Sequence, residues 1–502
     1  MKSQKLYLVA ATFLLAAIIP AKATPQSQAP TDETQALRQL VEQMQTRMAK
    51  MQEEIDQLKG AKTPPPATQP SQAATAPSAA APPQRQNGTI QAAEPPAVGA
   101  TSPHVGEATS NYREFSEDTV AAARFNNVPL DPKYHGFFQL PGTQTILKIG
   151  GYFKTDFIYD LKPAGNTDSF IPSSFPIPQV SSVNNSTVSI RPTRLSLDFR
   201  VPYTQVGEVR FYVEADFFGT NSTTPRLRHA YAQANNILIG QTFTNFMDPD
   251  ASPDTLDFQG PNGMVSLRNP QFRYGFALSS HTTFYVSVEK PSSDIIFKTA
   301  QFNAQPNAPS PDGAIRLRQE FERGHFQVAG LFRSIAAFLP NGKTDSVFGW
   351  GVNTSLGLNT FGQDNLILAF AGGHGISRYI NDTSGLGIDA EPASGVTNHL
   401  VATPAVGIEA SYQHYWFKRL RSSAIYSYAA VNDTDLAAPT TYNHATYTGA
   451  NLIWNPGGSL NVGAEFLYGW TMLQNGQSAN APRIQFSAKY SFVKVDPEPK
   501  NK

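Results

Sequence analysis

The sequence predicts an all-β transmembrane barrel of about sixteen antiparallel strands, preceded by a short α-helical coiled coil. Three observations predict the barrel: a period-2 alternation of apolar and polar residues, connections that alternate between short and long, and aromatic residues gathered at strand ends. From Leu195 to Val201 one face reads Leu195, Leu197, Phe199 and Val201, and the other reads Arg194, Ser196, Asp198 and Arg200. Val209 to Phe217, Leu460 to Trp470 and Ile484 to Phe492 repeat the pattern. A soluble sandwich also alternates, but it turns its polar face outward and shares its core between two sheets. In a membrane barrel the apolar face meets lipid and the polar face meets a wet lumen.

The elements are ordered along the 502 residues as successive changes of composition and period. Lys2 and Lys5, the apolar stretch Leu6 to Ile19 and the small-x-small site Ala21-Lys22-Ala23 mark residues 1–23 as a cleaved secretory signal, too short to span a bilayer. Past residue 23 there is no apolar run long enough for a membrane helix, so a membrane location requires a barrel. Within 31–60, Leu37, Val41, Met44, Met48, Met51, Ile55 and Leu58 recur at alternating spacings of four and three, an a/d heptad seam closed by Gly60. The alternative is an amphipathic helix packed on the chain's own domain. Three heptads are marginal alone, but tethering to an oligomeric domain raises their effective concentration. Residues 61–110 are rich in Pro, Ala, Gln, Ser and Thr, a disordered semi-rigid linker. Residues 111–144 form a pre-barrel segment that packs on the rim or interior of the barrel.

The barrel is expected over 145–492, with a periplasmic tail at 493–502. Long connections at 161–185, 244–262, 291–312 and 374–399 alternate with short ones such as Asn235-Asn236, Ser280-His281, Arg323 and Asn455 to Gly458. Short periplasmic turns and longer outer loops are the habit of outer-membrane barrels. Keeping that alternation requires Asn269-Pro270 to lie within a strand. Tyr412, Tyr415, Trp416, Phe417, Trp454 and Trp470 sit where interfacial girdles belong.

The stretch Phe137-Phe138-Gln139-Leu140-Pro141-Gly142-Thr143 through Lys148-Ile149-Gly150-Gly151-Tyr152 resembles the DcaP-like outer-membrane porins. So do Arg191-Pro192-Thr193-Arg194-Leu195 and Gly240-Gln241-Thr242-Phe243 leading to Asp248-Pro249-Asp250, together with the order of signal, coiled coil, linker and barrel. The resemblance implies a sixteen-stranded homotrimer in the outer membrane of a Gram-negative bacterium, among lipid and lipopolysaccharide, that admits small and often dicarboxylic organic anions. One departure is the ten residues after Phe492, including Pro497 and Pro499, where outer-membrane strands commonly end the chain on Phe.

Twelve of the 21 arginines fall between Arg191 and Arg333. Alternation turns Arg194, Arg200, Arg210, Arg226, Arg228, Arg273, Arg316 and Arg318 to the polar side. A guanidinium never loses its charge and forks onto carboxylates, so these residues offer an anion a staggered series of weak sites. The competing reading pairs them with Asp198, Glu208, Glu214, Asp216 and Glu320. The third outer connection carries Asp248, Asp250, Asp254 and Asp257; folded inward, it narrows the pore and sets acids across from the arginines. As a calcium loop it lacks the glycine and terminal glutamate.

Other functions find little footing. Equal numbers of basic and acidic residues, 39 each, remove the footprint of a nucleic-acid binder, and zero cysteines exclude disulfide, zinc-knuckle and thiol chemistry. Neither a G-x-S-x-G elbow nor H-E-x-x-H occurs, so no catalytic residue, metal or cofactor is expected. A phosphate-selective porin is the runner-up. A structural envelope barrel, its coiled coil reaching the cell wall, is third.

Overall fold

The computed structural model describes residues 136–179, 183–220, 223–296, 305–338, 342–392, 399–432 and 438–492. The signal, the heptad seam from Leu37 to Leu58, the linker, most of segment 111–144 and the tail after Phe492 lie outside the described residues.

Among the described residues, sixteen long antiparallel strands form one sheet, which the short strands Phe138–Gln139 and Gln305–Asn307 also join. The first eight long strands are β1 (Ile146–Asp160), β2 (Asn185–Ser189 and Arg194–Thr204), β3 (Gly207–Asp216), β4 (Arg226–Ala234), β5 (Ile237–Phe243), β6 (Arg268–Ala277), β7 (Thr282–Glu289) and β8 (Asp312–Phe321). The second half comprises β9 (Gly324–Phe338), β10 (Thr344–Asn359), β11 (Asn365–His374), β12 (Pro404–Phe417), β13 (Leu420–Val431), β14 (Tyr442–Gly457), β15 (Leu460–Leu473) and β16 (Ser478–Ser491). Each pairs with the next, and β1 closes the barrel on β16 in a register running from Tyr152↔Ser491 to Asp160↔Arg483. Closure of β16 on β1 joins the two ends of the sheet, the condition for spanning a bilayer with sheet. Asn269-Pro270 lies inside β6, Pro270 facing Gln241 of β5, so the loop alternation is preserved.

Short turns gather at one end, among them Asn235-Asn236 with Asn235 at φ 47°, a left-handed position that asparagine tolerates. The opposite end carries L1 (161–184), L2 (217–225), L3 (244–267), L4 (290–311) and L6 (375–403). β2 is interrupted at Ile190 to Thr193, where Pro192 has no N–H to give. The Thr193 hydroxyl bridges the gap, accepting from Lys154 N and donating to Lys154 O, both at 3.2 Å. Gly151 makes the same junction possible: a Cβ there would lie 2.2 Å from the Arg194 carbonyl oxygen.

The outward face is an apolar band. Phe153 is 61% exposed, and Phe157, Leu195, Phe211, Phe272, Phe332, Phe466 and Phe486 are exposed with it. Such a surface on a water-soluble chain would be an aggregation hazard, and it suits the lipid-facing side of a membrane barrel. Trp416, Phe417, Trp454 and Phe361 stand exposed near the turn end, where aromatic rings suit the membrane interface.

The inward face departs from the expected wet, polar lining along part of the wall. Ala314, Ala329, Leu331, Ala371, Ala405, Ala429 and Ala445 line β8 to β14 and are buried under Phe246, Met247 and Val265 of L3 and Ile376, Tyr379, Ile380 and Ile388 of L6. Small wall residues leave room for two loops inside the barrel. The closest approach is Gly263 of L3 on Gly407 of β12, where a Cβ on Gly407 would meet the Gly263 carbonyl oxygen at 2.1 Å.

Candidate functional site in the barrel lumen

The eight arginines picked out by alternation share the inner face of β2 to β8, opposite the exposed Leu195, Leu197, Phe211, Leu227, Phe272, Ile315 and Leu317. Cross-strand register makes several of them a belt as well as a column. Arg200 faces Arg210, Arg210 faces Gln233, Gln233 faces Leu238 and Leu238 faces Arg273. Arg316 faces Tyr285, and Arg318 faces Thr283.

Six of these guanidiniums pair with carboxylates. Arg200 reaches Asp198 at 3.2 Å and Glu208 at 3.0 Å, and Arg210 reaches Asp198 at 3.0 Å. Arg228 lies 2.7 Å from Glu214 and 3.0 Å from Asp216, Arg226 is 2.6 Å from Asp216, and Arg194 is 4.0 Å from Glu214. Arg318 binds Asp248 at 3.0 Å, Asp250 at 2.7 Å and Glu320. Pairing with same-wall acids therefore describes most of the set. Arg273 and Arg316 carry no ion pair among the described residues. Arg273 Nε donates to Gln271 Oε1 at 2.9 Å and its Nη2 to the Phe243 carbonyl. The Arg316 guanidinium lies 4.1 Å over the Tyr285 ring, and its buried Nε has no partner.

L3 crosses the interior on a series of wall contacts. Asn353 Nδ2 donates to the Phe246 carbonyl at 2.7 Å, and Asp248 accepts from Arg318, from the Ser355 hydroxyl and, at 2.9 Å, from His325 Nε2. Burial opposes ionisation of Asp248, but the His325 and Arg318 charges with the His325 and Ser355 bonds hold it well below the usual carboxylate range. Asp254 pairs with Arg421 of β13 at 2.6 Å and accepts from Gln413 of β12 at 2.8 Å. Glu465 of β15 accepts from the Thr255 hydroxyl and from the Leu256 and Asp257 amides at 2.7, 2.9 and 2.8 Å. Lys154 of β1 donates to the Leu256 carbonyl at 2.7 Å. The Gly263 amide then returns the loop to Ser427 of β13 at 2.8 Å.

The four loop acids thus do not face the arginines across a gap. Asp248 and Asp250 touch Arg318, Asp254 is taken up by the far wall, and Asp257 accepts backbone amides of Phe170 in L1 and Gly260 at 3.0 Å each. Burial pushes Asp257 up to about 6. Asp382 of L6, likewise pushed up to about 6 by burial, accepts from Ser173 N of L1 at 3.0 Å and from the Tyr442 hydroxyl at 2.9 Å. These two carboxyls interlock L1, L3 and L6.

Several lumen residues escape the sequence reading. Arg333 binds Asp312 and Asp389, Arg483 binds Asp160, and Arg421 and Glu465 hold L3. Alternation along their strands places all four inside, but three of them lie outside the arginine-rich stretch and Arg333 stands at its very end. Phe258 of L3 stacks on Phe218 of L2, beside Arg191, Arg194, Arg226 and Arg228. No local pattern announces that meeting of two loops.

The model of the DcaP outer membrane protein family matches residues 139–492, more than half of the chain. The outer membrane channel DcaP of Acinetobacter baumannii is 24% identical over 71% of this chain and 99% of that one, with a TM-score of 0.63. An anion-selective porin from Comamonas acidovorans is 10% identical over 69% and 100%, at 0.48, and OprB of Pseudomonas putida 10% over 69% and 94%, at 0.44. No curated protein sequence matches.

Proposed function

This chain belongs to the DcaP outer membrane protein family and is an outer-membrane porin channel of that type; we propose that it passes small organic anions, dicarboxylates among them, by passive diffusion along the guanidinium wall of β2 to β8. The observation that carries the reading is the adjacent pair Arg273 and Arg316. Carboxylates cancel much of the field of their six neighbours, but neither of these two has an ion-pair partner in the described wall. Two permanent charges just beneath the same stretch of wall set a positive potential that favours a solute with two carboxylates, and the paired arginines on either side stage its approach and release.

L3 serves as the constriction in this reading. Its seat on Glu465 and Arg421 holds residues 250–258 inside the barrel, and their deletion is expected to raise single-channel conductance. The channel assembles as a homotrimer.

The test is the zero-current potential of the full-length protein in a planar bilayer under a salt gradient, first with chloride and then with a dicarboxylate on one side. An anion-selective potential that persists with the dicarboxylate is expected. A cation-selective potential overturns the reading. Strong inhibition of the chloride current by phosphate would instead make this a phosphate-selective porin.

A further inference from the structure

Of the eight luminal arginines, Arg226 alone is substantially open, its side chain 39% exposed, while the other seven are at or below 12%. It is the first residue of β4, at the loop end, so a solute entering from that end meets this guanidinium before the belt. Its surroundings are aromatic. Phe218 and Phe258 are stacked at 4.2 Å with their planes 14° apart, both only partly buried. The Arg226 guanidinium lies 5.2 Å from the Phe218 ring centre and 6.0 Å from that of Phe258. Arg191 is 4.6 Å from the Phe218 ring, and Arg194 and Arg228 are 5.4 and 5.6 Å from the Phe258 ring.

The guanidiniums of Arg191, Arg194, Arg226 and Arg228 gather around the two rings, where Asp168, Glu214 and Asp216 pair with them. Arg226 spends Nε and Nη2 on Asp216, while its Nη1 has no protein partner among the described residues. An incoming carboxylate fits that free edge. A flat ring attached to the carboxylate then lies among two phenyl groups and the faces of several guanidiniums, all of which prefer an aromatic surface to a saturated one of equal size.

We propose that this cluster at the loop end is a recognition site for aromatic carboxylates, with Phe218 and Phe258 making the channel favour them over saturated acids of equal charge. The site rests on the anion-channel reading and refines it. No bond is made or broken there; the residues set residence time and selectivity.

The probes are benzoate and cyclohexanecarboxylate, which share a charge and nearly a size but differ in the ring. Each is added to the loop side of the full-length channel, and the concentration that halves the open-channel current is read. Benzoate is expected to act at a concentration about three- to tenfold lower, the size of one added ring–guanidinium contact. Phe258→Leu and Phe218→Leu should erase that difference and leave the cyclohexanecarboxylate value unchanged. Equal block by the two acids in an anion-selective wild-type channel overturns the site alone. A benzoate preference that survives both leucine variants overturns it too. A cation-selective channel blocked by neither acid overturns the anion reading and the site with it. The wild-type comparison stands even where a variant fails to assemble.

Discussion

The two halves of the barrel's inner wall are built on opposite principles. Along β2 to β8 the inward residues are long and charged, and most guanidiniums are matched by a carboxylate one or two strands away. Along β9 to β14 many inward residues near the loop end are alanine and glycine, with Leu331, Arg333 and Ile335 on β9 among the larger ones, and the space they leave is filled by apolar side chains of L3 and L6. Long charged residues repel a packed loop because burying them needs partners. Small apolar residues invite one. The apolar seat of the loops therefore lies on β8 to β14, while polar holds such as Arg318 on Asp248 and Asp250 come from the charged wall as well.

Breaking the apolar half should have the largest effect. Phe246 is fully buried, edge-on to Tyr379, and Phe246→Ala is expected to lower resistance to urea by about 3–5 kcal/mol, monitored by the gel shift of the folded barrel. The zero-current potential should not change. A loss below about 1 kcal/mol would mean that L3 and L6 do not form a packed core with the wall.

The loop interlock gives a pH dependence. Asp257 and Asp382 have folded-state values raised to about 6, so their contribution is fully present below the unfolded carboxylate range near 4 and is lost as pH rises through 6. At 1.36 kcal/mol per unit this is roughly 2–3 kcal/mol per group. Hydrogen exchange at the Phe170 and Ser173 amides, corrected for intrinsic rate, should show protection falling between about pH 4.5 and 7.5. Protection that instead falls toward acid would reverse the assignment.

On the charged half, Arg273→Glu with Arg316→Glu should move the anion-to-cation permeability ratio about tenfold or more toward cations. A unit charge about 8 Å away at an effective dielectric of about 20 is worth about 2 kcal/mol. The same change at Arg200, already paired with two carboxylates, should alter selectivity less, and equal effects would deny the unpaired residues their special place. The smallest effect is expected at the joint between the halves. Glu465→Gln weakens the acceptor that holds Thr255, Leu256 and Asp257, at a cost of about 1–2 kcal/mol. Its signature is more frequent brief closures in single-channel records, with the mean open conductance retained.

Much of this architecture is legible residue by residue. The inner and outer faces of β2, β3, β15 and β16 come directly from alternation, because a strand sends successive side chains to opposite faces and lipid tolerates only one kind. Loop lengths gave the strand number, including the placement of Asn269-Pro270 inside β6. The site was legible only as a list. Alternation placed Arg273 and Arg200 on the same face but could not distinguish the guanidinium without a carboxylate partner from the doubly paired one.

The chain by itself therefore determined the closed barrel, its strand number and which residues face inward, since each depends on a period of two and on the spacing between neighbouring strands. Only the tertiary structure decided which charges cancel, that Asp254 crosses to Arg421, that alanine lines one wall to receive L3 and L6, and that Phe258 meets Phe218. Those outcomes depend on strand register and on contacts such as Arg421 with Asp254, 167 positions apart. A contact across the lumen leaves no periodic trace in the segments that make it.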